Sequence, residues 1–237
     1  MTKEWVYLMH GYDLADYGVS ALIVDRPGSG EARLNELKFH FDSETDAAAC
    51  INYLESRPDV DPNRIGLCDQ SLGGYFAPRA AAFEKRLKCV VAWGAVWDWH
   101  RVLLEGIMSN QESAIHEGGY DPEEVVSALD WVLCWPMGVA NIQEYMEKIK
   151  QFSLEGIADK ITCPILVLHG ENDRSVAVWA AQKTYDACIN SPRRELKIFT
   201  QEEGGVEHCQ MDNVTVATDY IHAWVADVLR IPSNTTS

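Results

Sequence analysis

Five short apolar runs recur along this sequence, most of them closed by a turn and followed by a stretch with helical spacing. They fall at 19–25, 64–68, 89–93, 165–169 and 196–200. The run at 19–25 is rich in β-branched residues and closes on Arg26-Pro27-Gly28-Ser29-Gly30. Helical patterns are predicted at 43–57, 71–84, 178–189 and 209–229. Short apolar strands that alternate with helices imply an α/β fold: a mostly parallel sheet with helices on both faces. At 237 residues the chain is long enough for one domain with a large core.

The stretch between Trp93 and Pro164 breaks this rhythm. It holds only helix-like pieces, at 99–108, 122–133, 142–152 and 154–157, together with four of the eight tryptophans. The expected organisation is a core formed by 1–96 and 161–237, with a helical cap inserted at 97–160. Trp97, Trp99, His100 and Trp135 are candidates for lining a substrate pocket beneath that cap. Packing of the cap onto the sheet is the larger expected role of its tryptophans.

Chemistry concentrates at Gly66-Leu67-Cys68-Asp69-Gln70-Ser71-Leu72-Gly73-Gly74. A strand runs into Ser71, glycines follow, and a helix starts at once. Such a strand-to-helix turn lifts a serine hydroxyl over the carboxyl edge of the sheet. It also turns the next amide, that of Leu72, toward a developing oxyanion. The competing role for Ser71 is that of a helix cap. Asp173 follows the run at 165–169, and His208 follows the run at 196–200. A serine, an acid and a histidine at three strand ends, in that order, fit a nucleophile, an orienting carboxylate and a general base. Glu171 is an alternative acid. His169 is expected to pack beside the acid loop. His10, His40 and His222 are expected in ordinary surface or core roles, and His100 and His116 in the cap. Glu202 and Glu203 lack the convergent ligand set of a metal site.

The bulk properties narrow the partners. A formal net charge of -16 repels phosphate backbones and anionic membranes. No apolar run reaches membrane-spanning length. Seven scattered cysteines, an odd number without metal-ligand spacing, read as reduced thiols in a cytoplasmic protein.

The segment from Ser71 to Glu84 resembles the nucleophile region of one α/β-hydrolase group. That group includes dihydroxypseudooxynicotine hydrolase and the fungal polyketide-shortening hydrolases of pigment and toxin pathways. Val24-Asp25-Arg26-Pro27-Gly28-Ser29-Gly30-Glu31, His169-Gly170-Glu171-Asn172-Asp173 and Glu203-Gly204-Gly205-Val206-Glu207-His208-Cys209-Gln210 are similar to its other loops. The resemblance runs over nearly the whole chain. It implies hydrolysis of an ester, or of a carbon–carbon bond next to a carbonyl, in a small polyketide-like metabolite, without a cofactor.

Two departures stand out. Asp69 occupies a position where the group has glycine; its side chain is expected to crowd the turn and its charge to oppose an oxyanion. In addition, the group's N-terminal helical region and early strands have no counterpart here. Thr2-Lys3-Glu4-Trp5 resembles the far end of its Gly-rich second oxyanion loop. These departures sustain a rival reading, a degenerate hydrolase scaffold that binds a metabolite or protein. An exposed sheet edge is also a route to a homodimer.

Overall fold

The computed structural model describes residues 2–107 and 130–230. Four parallel strands form one sheet in the order β1-β2-β3-β4: β1 is Gly66–Gln70, β2 Cys89–Trp93, β3 Ile165–Gly170 and β4 Arg194–Phe199. Four of the five predicted strands therefore stand within two residues of their expected bounds. The fifth does not form. Residues 19–25 join no ladder, and Leu22 and Val24 stay exposed. Their composition favours an extended backbone, yet a strand also needs a neighbour with which to exchange hydrogen bonds. Lys3–Val6 forms one helical turn, with the extended Thr2 before it.

Among the described residues five helices run to eight residues or more: α1 Glu44–Glu55, α2 Gly73–Phe83, α4 Trp179–Ala187 and α5 Val214–Leu229 in the core, and α3 Ile142–Ile149 in the 97–160 stretch. The central strands β2 and β3 are buried along their whole length, as expected for parallel strands covered on both faces. Their alternate residues feed two separate cores. Val90, Ala92, Ile165 and Val167 pack with Ile51 of α1, Tyr75, Phe76 and Ala80 of α2, and Ala180 of α4. Cys89, Val91, Trp93, Leu166 and Leu168 pack with Ala217, Ile221, Trp224 and Val225, the apolar stripe of α5. His10 docks the N-terminal segment on this second core. Its Nδ1 lies 2.8 Å from Nε2 of His222, and both rings are buried.

Among the described residues, 97–160 contains helices and turns and no strand, only an isolated bridge between Asp98 and Ser153. A one-turn helix, Trp99–Val102, is capped by Asp98, whose carboxylate accepts from Arg101 N at 2.9 Å. Asn141 caps α3 in the same way through Glu144 N at 2.9 Å. The expected helix at 122–133 and His116 fall mostly or wholly outside the described residues.

Leu166 is fully buried in the middle of β3. Leu166→Ala should lower unfolding free energy by about 2–5 kcal/mol. A fall in the urea midpoint at unchanged slope is the expected reading.

Candidate active site

β1 ends at Gln70, and Ser71 turns the chain with φ of +60°, a left-handed conformation rare for a residue with a side chain. The turn is fixed on both sides. Ser71 N donates to Trp93 O at 2.8 Å, and Ser71 O accepts from Gly74 N at 2.7 Å. A Cβ on Gly74 would stand 2.5 Å from Gly94 O, so only glycine lets α2 begin this close to the end of β2. Leu72 caps α2, and its amide belongs to the leading N–H groups that have no partner within the helix.

Asp173 sits in the turn after β3 with its carboxylate fully buried. Oδ1 accepts from Ser175 N at 2.9 Å and from Val176 N at 2.8 Å. Oδ2 lies 2.8 Å from Nδ1 of His208, and Nε2 of His208 lies 2.8 Å from Oγ of Ser71. A proton on Nδ1 satisfies Asp173 and leaves Nε2 to accept from the serine hydroxyl. Ser71, Asp173 and His208, predicted from three separate strand ends, thus form one continuous hydrogen-bonded chain. The alternative acid, Glu171, is turned away and accepts from Gln201 N.

Electrostatics favour charge separation along this chain. Burial is the largest single influence on His208 and works against its protonation, but the hydrogen bond it donates to Asp173, the contact with Cys209 and the Asp173 charge together outweigh it and raise the ring's proton affinity well above the ordinary imidazole value. Burial would raise the Asp173 pKa, yet the His208 N–H, the His208 and His169 rings and the Val176 amide hold it below the usual carboxylate range.

Several residues around this chain escaped the sequence reading. His169 does more than pack. Its Nε2 donates to Val176 O at 2.7 Å and stands 3.3 Å from Oδ2 of Asp173, so it braces the acid turn from behind. Burial lowers its proton affinity and keeps it neutral. Gln210 accepts from the Trp93 indole N–H at 2.6 Å, and it follows Cys209 in a loop where both residues have positive φ, +52° and +50°. The Cys209 thiol lies 3.5 Å from Nε2 of His208. Asp69 lies close against Gly73 at the elbow, and its carboxylate pairs with Arg26 at 3.0 Å. The position of His169 at a strand end, four residues before the acid, and Asp69 in place of a glycine gave signals in the sequence; Cys209 and Gln210 gave none.

The candidate substrate residues occupy other settings. Trp97 is buried, with the Lys183 ammonium 4.6 Å from its ring centroid. Trp99 is buried and donates its indole N–H to the Tyr145 hydroxyl at 2.7 Å. Trp135 is half-buried, beneath Arg33 at 4.5 Å and Lys38 at 4.7 Å. His100 is half-buried on the Trp99–Val102 turn. The contacts of the three tryptophans tie the 97–160 stretch together and to the core. Among the described residues, no group of three or more His, Cys, Asp or Glu side chains is gathered as for a metal ion.

A left-handed serine turn, an acid turn and a histidine loop at the carboxyl ends of parallel strands define the α/β-hydrolase class. Within that class the chain belongs to the prolyl oligopeptidase family, whose sequence profile matches residues 10–230. It is 30% identical over 186 residues to "Hydrolase ORFZ" of Pyricularia oryzae, covering 70% of this chain and 44% of that one. It is 27% identical over 209 residues to 2,6-dihydropseudooxynicotine hydrolase of Paenarthrobacter nicotinovorans, covering 88% and 49%. The chain thus spans less than half the length of these relatives. The crystal structure of 2,6-dihydroxy-pseudo-oxynicotine hydrolase superimposes with a TM-score of 0.73 at 23% identity, covering 96% of this chain and 57% of that one. That likeness establishes the shared fold.

The His208 shift predicts a pH profile. A general base works when neutral, so kcat/KM should rise with pH, with a midpoint above the ordinary imidazole value. Asp173→Asn removes the charge that holds the proton on His208. The rising limb should therefore move to lower pH while the plateau falls by about 10⁴-fold. Initial rates on an aryl ester across pH test both effects.

Proposed function

We propose that this chain is a serine hydrolase that cleaves an ester, or a carbon–carbon bond next to a carbonyl, in a small polyketide-like metabolite. The observation that carries the reading is the chain of two 2.8 Å contacts from Ser71 through His208 to Asp173. Ser71 Oγ attacks the carbonyl carbon as Nε2 of His208 takes its proton. Asp173 stabilises the imidazolium, and the Leu72 N–H faces the oxyanion. The tetrahedral intermediate collapses, and His208 returns the proton to the departing oxygen or carbon. Water, activated by the same histidine, then releases the acyl group from Ser71. For a carbon–carbon bond, direct attack by a His208-activated water is the alternative route.

The substrate class rests on the sequence resemblance and on relatives such as the Paenarthrobacter enzyme, whose name specifies a pseudooxynicotine substrate. All seven thiols are free, which suits a reducing compartment such as the cytoplasm. No helix among the described residues is long and apolar enough to cross a membrane.

A second reading, a scaffold that binds a ligand without turning it over, draws on the assignment of Leu72 N–H as the one oxyanion donor among the described residues. Losing one of two such donors typically costs about 10²–10³ in turnover. A fluorophosphonate probe separates the two readings. Labelling of the wild-type chain and none of Ser71→Ala is the expected result; an unlabelled wild type favours the scaffold. His208→Ala and Asp173→Asn should each slow labelling by orders of magnitude. The double variant should lose little more than the worse single one, because the three residues act as a unit.

A further inference from the structure

Asp69 stands two residues before the candidate nucleophile, near the end of a strand that, among the described residues, pairs on one side only. Its carboxylate is spoken for on both oxygens. Oδ1 accepts from Gln70 N at 2.9 Å, the amide directly ahead of Ser71, and Oδ2 lies 3.0 Å from Nη1 of Arg26. The carboxylate also fills space that glycine leaves open. A Cβ on Gly73 would fall 2.0 Å from Oδ1, so Asp69 and the first turn of α2 are fitted to each other.

Arg26 is held just as firmly. Its guanidinium carbon lies 3.6 Å from the centroid of Phe76 and 5.7 Å from that of Phe39, two rings stacked 5.8 Å apart at 22°. Phe76 belongs to α2, so Arg26 grips the helix after Ser71 with its face and the strand before Ser71 with its edge. Side-chain exposures of 18% for Arg26 and 31% for Asp69 leave the pair partly desolvated, where charges act over distance more strongly than in water. Asp46 is the other carboxylate whose field reaches Arg26, and it is engaged by Nε2 of His40 at 3.2 Å. His40 in turn reaches Asp42 at 3.0 Å through Nδ1.

We propose that Arg26 and Asp69 form an electroneutral prop for the Ser71 turn, in which Asp69 is a positioning residue and Arg26 cancels its charge. The proposal rests on the hydrolase reading above. Alone, a carboxylate here would oppose an oxyanion on the substrate and favour the imidazolium of His208. Paired with Arg26, it keeps its value as an acceptor for the Gln70 amide without that field. The residue that departs from the family pattern and the arginine that answers it thus act as one device.

The test compares Arg26→Gln, Asp69→Asn and the double variant by fluorophosphonate labelling rate, by kcat and KM on an aryl ester, and by the pH profile of kcat/KM. Thermal melts establish that each variant is folded. Arg26→Gln strands the Asp69 charge; labelling and kcat should fall about tenfold with KM little changed. Its rising pH limb should move up by about half a unit. Asp69→Asn leaves Arg26 unbalanced, and its limb should move down. The double variant has no charge at either position but keeps an oxygen for the Gln70 amide. It should return to within about threefold of wild type, with the limb restored. Shifts of opposite sign that cancel in the double variant distinguish charge compensation from packing. Should Arg26→Gln not fold, Asp69→Asn and the double variant carry the same comparison. A labelled wild type with unshifted limbs in the single variants overturns the prop and leaves the hydrolase reading standing. A double variant as slow as Arg26→Gln also overturns it. A wild type that neither labels nor turns over the ester overturns the hydrolase reading, and the positioning role with it.

Discussion

The hydrogen bond from Ser71 N to Trp93 O, at 2.8 Å, extends the β1–β2 ladder one residue past β1, into a turn that has already left the strand conformation. Much of the site depends on it. A serine at positive φ is unfavourable unless its surroundings hold it there. The ladder bond holds it from the sheet side, and the Ser71 O to Gly74 N bond holds it from the helix side. Trp93 then links this turn to the histidine loop, because its indole N–H is bound by Gln210. One fully buried residue at the end of β2 therefore sets the distance between the serine turn and the loop that carries His208.

The polar groups behind the hydroxyl are arranged by burial as much as by pairing. Asp173 is surrounded by donors: two backbone amides, His208 and, at longer range, His169. A buried carboxylate without them would take up a proton and lose its function. His169 stays neutral, so it can donate to Val176 O while lying beside Asp173 without adding a second full charge. Across the sheet, burial lowers the His10 pKa to about 4, with His222 adding to the effect. His208, whose ring N–H donates to a carboxylate, is favoured as the imidazolium, whereas burial keeps His10 and His169 neutral.

How much was legible in the sequence follows from the range of each interaction. β2 and β3 are continuous apolar runs whose burial on both faces is written into their own composition, and they appear where the sequence places them. Residues 19–25 carry the same signature and form no strand, because pairing is a property of two segments and a sequence window reports only one. Ser71, Asp173 and His208 were legible through their positions at strand ends. Gln210 and Arg26 were not, since each acts through a partner many residues away: Trp93 for the first, Asp69 and Phe76 for the second. Trp99 was readable as an aromatic residue near the site. Its hydrogen bond to Tyr145, 46 positions along the chain, turns it into part of the packing of 97–160.

The position of β1 in the sheet accounts for the setting of the elbow. β2 and β3 have neighbours on both sides, but among the described residues β1 pairs with β2 alone, and the run at 19–25 adds no ladder to its other edge. A strand supported on one side has more freedom at its end, where a strained turn needs the least. Side chains supply the missing restraint. Arg26, at the end of the 19–25 run, reaches Asp69 of β1 and lies against Phe76 of α2, so an ion pair and a ring contact tie the strand before Ser71 to the helix after it. Ion pairs exposed to solvent contribute little to such a restraint. This one is partly desolvated and its guanidinium is fixed against a ring, which removes much of the side-chain entropy that weakens surface pairs. The charge that looks misplaced next to a nucleophile is, in this setting, one half of the restraint that keeps the nucleophile in place.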